Sequence, residues 1–149
     1  MTVLEILKFP DERLRQTSVD VTDFNPDLSE LVRNMYDTMY QTSGIGLAAP
    51  QVNIHKNIII VDISKTKNQP LCLINPKIKH QSGEVKMPDR CLSIPGITGT
   101  VKRPEKISLT ALNETGETIE IEANDVLAAV IDHELEHLKG ILFVDHLLN

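Results

Sequence analysis

His133-Glu134-Leu135-Glu136-His137 places two imidazoles four residues apart, with a carboxylate beside the first. On a helix that spacing sets both rings on one face, where they can hold one metal ion. A metal-bound water is acidified and a neighbouring carboxylate can carry its proton, so the chemistry on offer is hydrolysis of an amide bond. Glu134 is the predicted general base.

A catalytic metal site needs a third protein ligand and one open position. Downstream, Gly140 is followed by Ile141, Leu142 and Phe143, so the histidine that one metalloprotease pattern requires three residues after its glycine is missing. No glutamate follows Glu136 either, which removes a distant downstream glutamate from consideration. The third ligand is therefore expected upstream. Cys91 is the best candidate, because a thiolate suits a borderline metal; Asp145 and His146 remain open as weaker options. Cys72 lies in an apolar run and reads as a core residue, and a Cys72 to Cys91 disulfide is not expected in a reducing compartment.

These residues must be positioned by a helix that Asn124 can cap and that runs to about Lys139, with Gly140 where a left-handed C-terminal residue belongs. At about 100° per residue, Asp132, Glu136 and Lys139 form one narrow stripe predicted to face water, while Leu127, Ile131, Leu135 and Leu138 fill an opposite arc. His133 and His137 share their side with Val126 and Val130. Glu134 falls between this side and the leucine arc and is predicted to be buried; Glu136 reads as a solvated charge without a role. A second helix opens at Asn25-Pro26-Asp27, carrying Leu28, Leu31, Val32, Met35 and Met39 at helical spacing. Residues 43–51 are small and glycine-rich and read as irregular or extended. Residues 58–63 and 71–74 read as buried strands, and the alternation around Ile107, Leu109 and Ala111, then Ile119 and Ile121, predicts a hairpin. Strands in a block, flanked by helices, predict an α+β fold, with residues 1–149 forming one compact domain.

With 149 residues, 41% hydrophobic residues and 24% charged ones, the chain has an ordinary globular composition. Its net charge of -6 argues against nonspecific attraction to nucleic acid or anionic membrane. Residues 1–15 lack a positive leader ahead of a hydrophobic stretch and the longest apolar run is too short to span a bilayer, so a cytoplasmic location is expected.

Three separated segments together resemble the peptide deformylase family: Gly44-Ile45-Gly46-Leu47-Ala48-Ala49-Pro50-Gln51, Cys91-Leu92-Ser93-Ile94-Pro95 and His133-Glu134-Leu135-Glu136-His137-Leu138-Lys139-Gly140. The stretches Pro10-Asp11-Glu12-Arg13-Leu14-Arg15 and Val101-Lys102-Arg103-Pro104 are also similar, so the resemblance covers nearly the whole chain. It implies a compact α+β domain with antiparallel sheets around the central metal-bearing helix. It implies removal of the formyl group from N-formylmethionine on new polypeptides, giving formate and a free amino terminus. It further implies one divalent ion at Cys91, His133 and His137: Fe2+ in the cell, with Zn2+, Ni2+ or Co2+ as ions a purified protein can carry. By the same resemblance the Gln51 amide and the Leu92 N–H meet the developing oxyanion, and Gly44, Ile45 and Gly46 lay out the substrate as a strand. The methionine pocket is then lined by Ile45, Val126, Ala129 and Val130. The implied partners are N-formylmethionyl peptides and nascent chains at the ribosome, with no direct nucleic acid and no membrane.

The chain also departs from the family. Asp89-Arg90 stands where the family has Glu-Gly, and if that glycine position needs a positive φ, Arg90 would strain the ligand loop. Asp132 replaces a glutamine and Glu136 an aspartate. Because the sequence stops at Asn149, no C-terminal extension of the kind some members use for ribosome contact is expected. Two other readings compete: a deformylase-like binding protein that has lost turnover, and a metallopeptidase acting on internal peptide bonds, which His-Glu-x-x-His alone would permit.

Overall fold

The structure is a computed structural model describing residues 2–147; Met1, Leu148 and Asn149 of the expected domain lie outside the described residues. Helix α1 (Pro26–Gln41) begins where the Asn25 side chain accepts a hydrogen bond from the Leu28 N–H at 3.0 Å, with Pro26 in the first turn. Its stripe of Leu28, Val32, Met35 and Met39 is buried.

The small segment after α1 is partly ordered into strand β1 (Gly46–Ala48), followed by a 3-10 turn over Ala49–Val52. Strand β2 (Ile58–Val61) is buried throughout, and β3 (Leu71–Ser82) is much longer than the expected 71–74. Its second half is exposed, so no apolar run marks it. Strands β4 (Val85–Cys91) and β5 (Ile94–Arg103) form a separate antiparallel ribbon, which the hydrophobic pattern did not reveal. Strands β6 (Lys106–Leu112) and β7 (Thr118–Asn124) are the expected hairpin. They complete a five-stranded antiparallel sheet in the order β1-β2-β3-β6-β7.

Helix α2 (Asp125–Leu138) carries the paired histidines. Asn124 does occupy its N-cap, but the side chain makes no capping hydrogen bond; the Asp125 N–H instead donates to the Glu105 carbonyl at 2.8 Å. Gly140 ends the helix at φ 76°, and a short helix α3 (Val144–Leu147) follows.

Alternation explains why β2 is apolar at every position. Ile58 and Ile60 pack with α1, whereas Ile59 and Val61 pack with Ala128, Ile131, Leu135 and Leu138 of α2. The sheet is thus covered by α1 on one face and α2 on the other. A third cluster, built from Leu7, Leu14, Ile94, Val101, Leu142 and Phe143, lies under the β4–β5 ribbon. The ribbon also contacts α2, which therefore runs between the two sheets. This is an α+β architecture of antiparallel sheets around the histidine-bearing helix.

Candidate active site

Helix α2 presents His133 and His137 from one face, both buried, with ring centroids 5.1 Å apart. The end of β4 brings Cys91 to them: its Sγ is 3.3 Å from His137 Nε2, and one ligand atom from each of the three residues lies within 4.8 Å of the others. Asp145 and His146 are not part of this cluster. Asp145 pairs with Arg15, while His146 bonds Glu136 at 2.8 Å.

Asp89 fixes the orientation of His133. The His133 Nδ1 lies 2.8 Å from Asp89 Oδ1, so a proton on Nδ1 leaves the Nε2 lone pair free for a metal. Burial pushes the His133 imidazolium down, but Glu134, Asp89 and Cys91 outweigh it and hold the group well above its ordinary value. His137 goes the other way: burial, reinforced by His133, holds it well below. Glu134 is buried as expected, and burial pushes its carboxyl up to about 7 against the downward pull of His133.

Two buried polar atoms at this centre, Glu134 Oε1 and His137 Nδ1, have no hydrogen-bond partner among the described residues. Buried polar atoms are rarely left so, and the Glu134 carboxylate lies beside a thiol and two imidazoles converging on one point. A Cys/His2 donor set of this kind fits a single first-row divalent ion and leaves a coordination position open.

Gln51, in the 3-10 turn, is buried. Its Oε1 accepts from the Ala48 N–H at 2.9 Å, which aims Nε2 toward Ser93 Oγ (3.1 Å) and Cys91 Sγ (3.5 Å). Leu92 lies in the turn after Cys91; its carbonyl accepts from Lys8 Nζ at 3.2 Å, and its N–H has no backbone acceptor among the described residues. Gly44 and Ile45 lead into β1, which opens at Gly46 and, among the described residues, pairs with β2 alone; the Gly44 N–H donates to the Met39 carbonyl at 2.9 Å and the Ile45 carbonyl accepts from the Asp62 N–H at 2.9 Å. A Cβ on Gly46 would lie 2.6 Å from Glu134 Oε2, so the edge approaches the carboxylate as closely as a backbone can. Val126, Ala129 and Val130, from the first turns of α2, face Ile45 across a cleft of about 560 Å³.

Arg90 also lines this cleft, at a backbone φ outside the left-handed region, so the ligand loop is not strained there. The stripe of Asp132 and Glu136 does not simply face water. Arg103, buried at 2% exposure, reaches from β5 to Asp132 at 3.0 Å, to Glu136, and to Asp89 at 2.8 Å. The ribbon covers that helix face, which helical periodicity cannot reveal. Arg103 and Asp89 were missed as site residues, although strand alternation holds the signal: Arg103 is in phase with buried Val101, and Asp89 with Cys91.

Residues 3–149 match the family model described as polypeptide deformylase. A peptide deformylase of Hamiltonella defensa is 46% identical over 147 residues, covering 99% of this chain and 86% of the relative. The crystal structure of a peptide deformylase from Legionella pneumophila superposes with a TM-score of 0.95 at 39% identity, covering 97% of this chain and 86% of that one. A peptide deformylase from Ehrlichia chaffeensis in complex with actinonin gives 0.94 at 36% identity, covering 98% and 89%. Family, fold and the geometry of α2 with its facing thiol agree, and the chain belongs to the polypeptide deformylase family of metal-dependent enzymes, with the activity of a deformylase.

Proposed function

We propose that residues 1–149 work as one catalytic domain that takes the formyl group from N-formylmethionyl peptides, with Cys91, His133 and His137 holding one divalent ion and Glu134 as general base. The observation that carries this reading is the convergence of a thiol and two imidazoles within 4.8 Å beside a buried, half-unpartnered carboxylate. When bound, the ion supplies Lewis acidity, lowering the pKa of water and polarising the formyl oxygen. Glu134 accepts the proton of the attacking water. Gln51 Nε2 and the Leu92 N–H donate to the oxygen on which negative charge develops. The C–N bond then breaks, Glu134 returns the proton to the departing amine, and formate leaves.

Gly46 opens β1 at the edge of the sheet, and with Gly44 and Ile45 before it gives an extended peptide a main-chain track to lie along, which reads main chain more than side chain. The methionine side chain lies between Ile45 and Val126, Ala129 and Val130. Iron(II) is the ion we assign in the cell, and the setting is the cytoplasm, where nascent chains emerge from the ribosome. The test is formate release from formyl-Met-Ala by protein loaded anaerobically with iron, nickel or cobalt. Metal-loaded Glu134→Gln is expected to keep its metal and lose roughly 10²–10⁴-fold in kcat. Bound metal and peptide without formate from the natural sequence would instead indicate a binding protein.

A further inference from the structure

Arg90 lines the cleft beside Cys91, and the structure gives it no hydrogen-bond or ion-pair partner among the described residues. In β4 exposed Arg90 lies between half-buried Asp89 and Cys91 where the register with β5 shifts, and all three line the cleft. Asp89 pairs with Gly99 and Cys91 with Ile94, so Arg90 alone stands opposite the four residues 95–98 of β5. Those four line the cleft and carry no charge, and neither does the facing wall at residues 42–46.

The other charged groups of the cleft are already engaged or buried. Asp89 is held by His133 and Arg103, Arg103 by its carboxylates, and Glu134 lies beneath Gly46. Lys8 is not part of the lining and donates to the Leu92 carbonyl. Arg90 is thus the cleft's one solvated cation among the described residues. With the formyl group between Cys91, Gln51 and Glu134, the peptide beyond its methionine must leave along this groove. Its successive side chains point alternately to the two walls.

We propose that Arg90 is a specificity-determining residue that favours formylated peptides with Asp or Glu at the second or third position. This rests on the deformylase reading. The guanidinium would pair with the acidic side chain in water-accessible space, so the effect is moderate and falls with ionic strength.

The experiment compares kcat/KM for amidated formyl-Met-Xaa-Ala and formyl-Met-Ala-Xaa peptides, with Xaa as Glu, Gln or Lys, in the natural sequence, Arg90→Gln and Arg90→Glu. Amidation ensures that any carboxylate read is a side chain. At low salt, Glu is expected to exceed Lys by about five-fold at one position, with Arg90→Gln bringing the ratio near one and Arg90→Glu inverting it. A ratio near one in the natural sequence, or one unchanged in Arg90→Gln, would overturn the proposal while formate from the Gln peptides upholds the deformylase reading. Absence of formate from every peptide overturns both.

Discussion

Glu134 occupies the tightest point of the site. Its Oε2 is 4.0 Å from His133 Nε2 and 2.6 Å from where a Cβ on Gly46 would be. Gly46→Ala would push the carboxylate or Val130 aside, whereas a Cβ on Gly44 meets the movable end of Leu92. A misplacement of about 1 Å costs roughly 10²-fold in rate, so Gly46→Ala is expected to lose about that in kcat and Gly44→Ala much less. Formate kinetics on both variants check it, and equal losses would mean that Glu134 is not held by this contact. Glu134, the two histidines and Cys91 were legible because their types and spacing carry a chemical meaning independent of fold. Asp89 and Arg103 were not, since strand alternation marks them only as inward-facing and a charge becomes a site residue through neighbours brought from elsewhere in the chain.

The β4–β5 ribbon is the element that delivers Cys91, and Arg103 fastens it to α2. One buried guanidinium links Asp89 of the ribbon with Asp132 and Glu136 of the helix. Arg103→Met would leave Asp132 without its cation and Asp89 and Glu136 with only their histidines, an expected loss of about 3–5 kcal/mol in urea unfolding, with faster metal release. A stable variant that keeps its metal would mean the ribbon docks by its apolar cluster alone. A second tie joins α1 to the loop after β2: Asp62, buried, accepts from Tyr40 Oη at 2.7 Å and from the Ser64 hydroxyl and N–H. Burial pushes the Asp62 carboxyl up, but these bonds outweigh it and hold it below its ordinary value. Its contribution to stability is therefore present above the unfolded-state pKa and lost as pH falls through the lower folded-state value. Asp62→Asn is expected to flatten the stability curve below about pH 4, measured by urea midpoints at stepped pH. Helices and sheet strands were legible because their periodicity is local. The ribbon was not, because its alternation is set by polar partners and its face by docking onto α2.

At the scale of the molecule, the proposed ligand set crosses the fold. Cys91 ends a strand of the small ribbon, while both histidines belong to the helix that packs on the large sheet. An ion held by all three joins these layers, and a ligand that binds the native but not the unfolded chain stabilises the native state by mass action. At free metal about 100 times Kd this amounts to about 2.7 kcal/mol, which for a chain of this size corresponds to a Tm rise of roughly 5–10 °C. Calorimetry on iron- or nickel-loaded protein with and without a strong chelator measures the shift. In Cys91→Ala the two remaining imidazoles sit on one element, so bound metal no longer bridges ribbon and helix, and the chelator-sensitive part of Tm is expected to nearly vanish. A chelator shift of equal size in that variant would place the stabilising ion somewhere other than this junction.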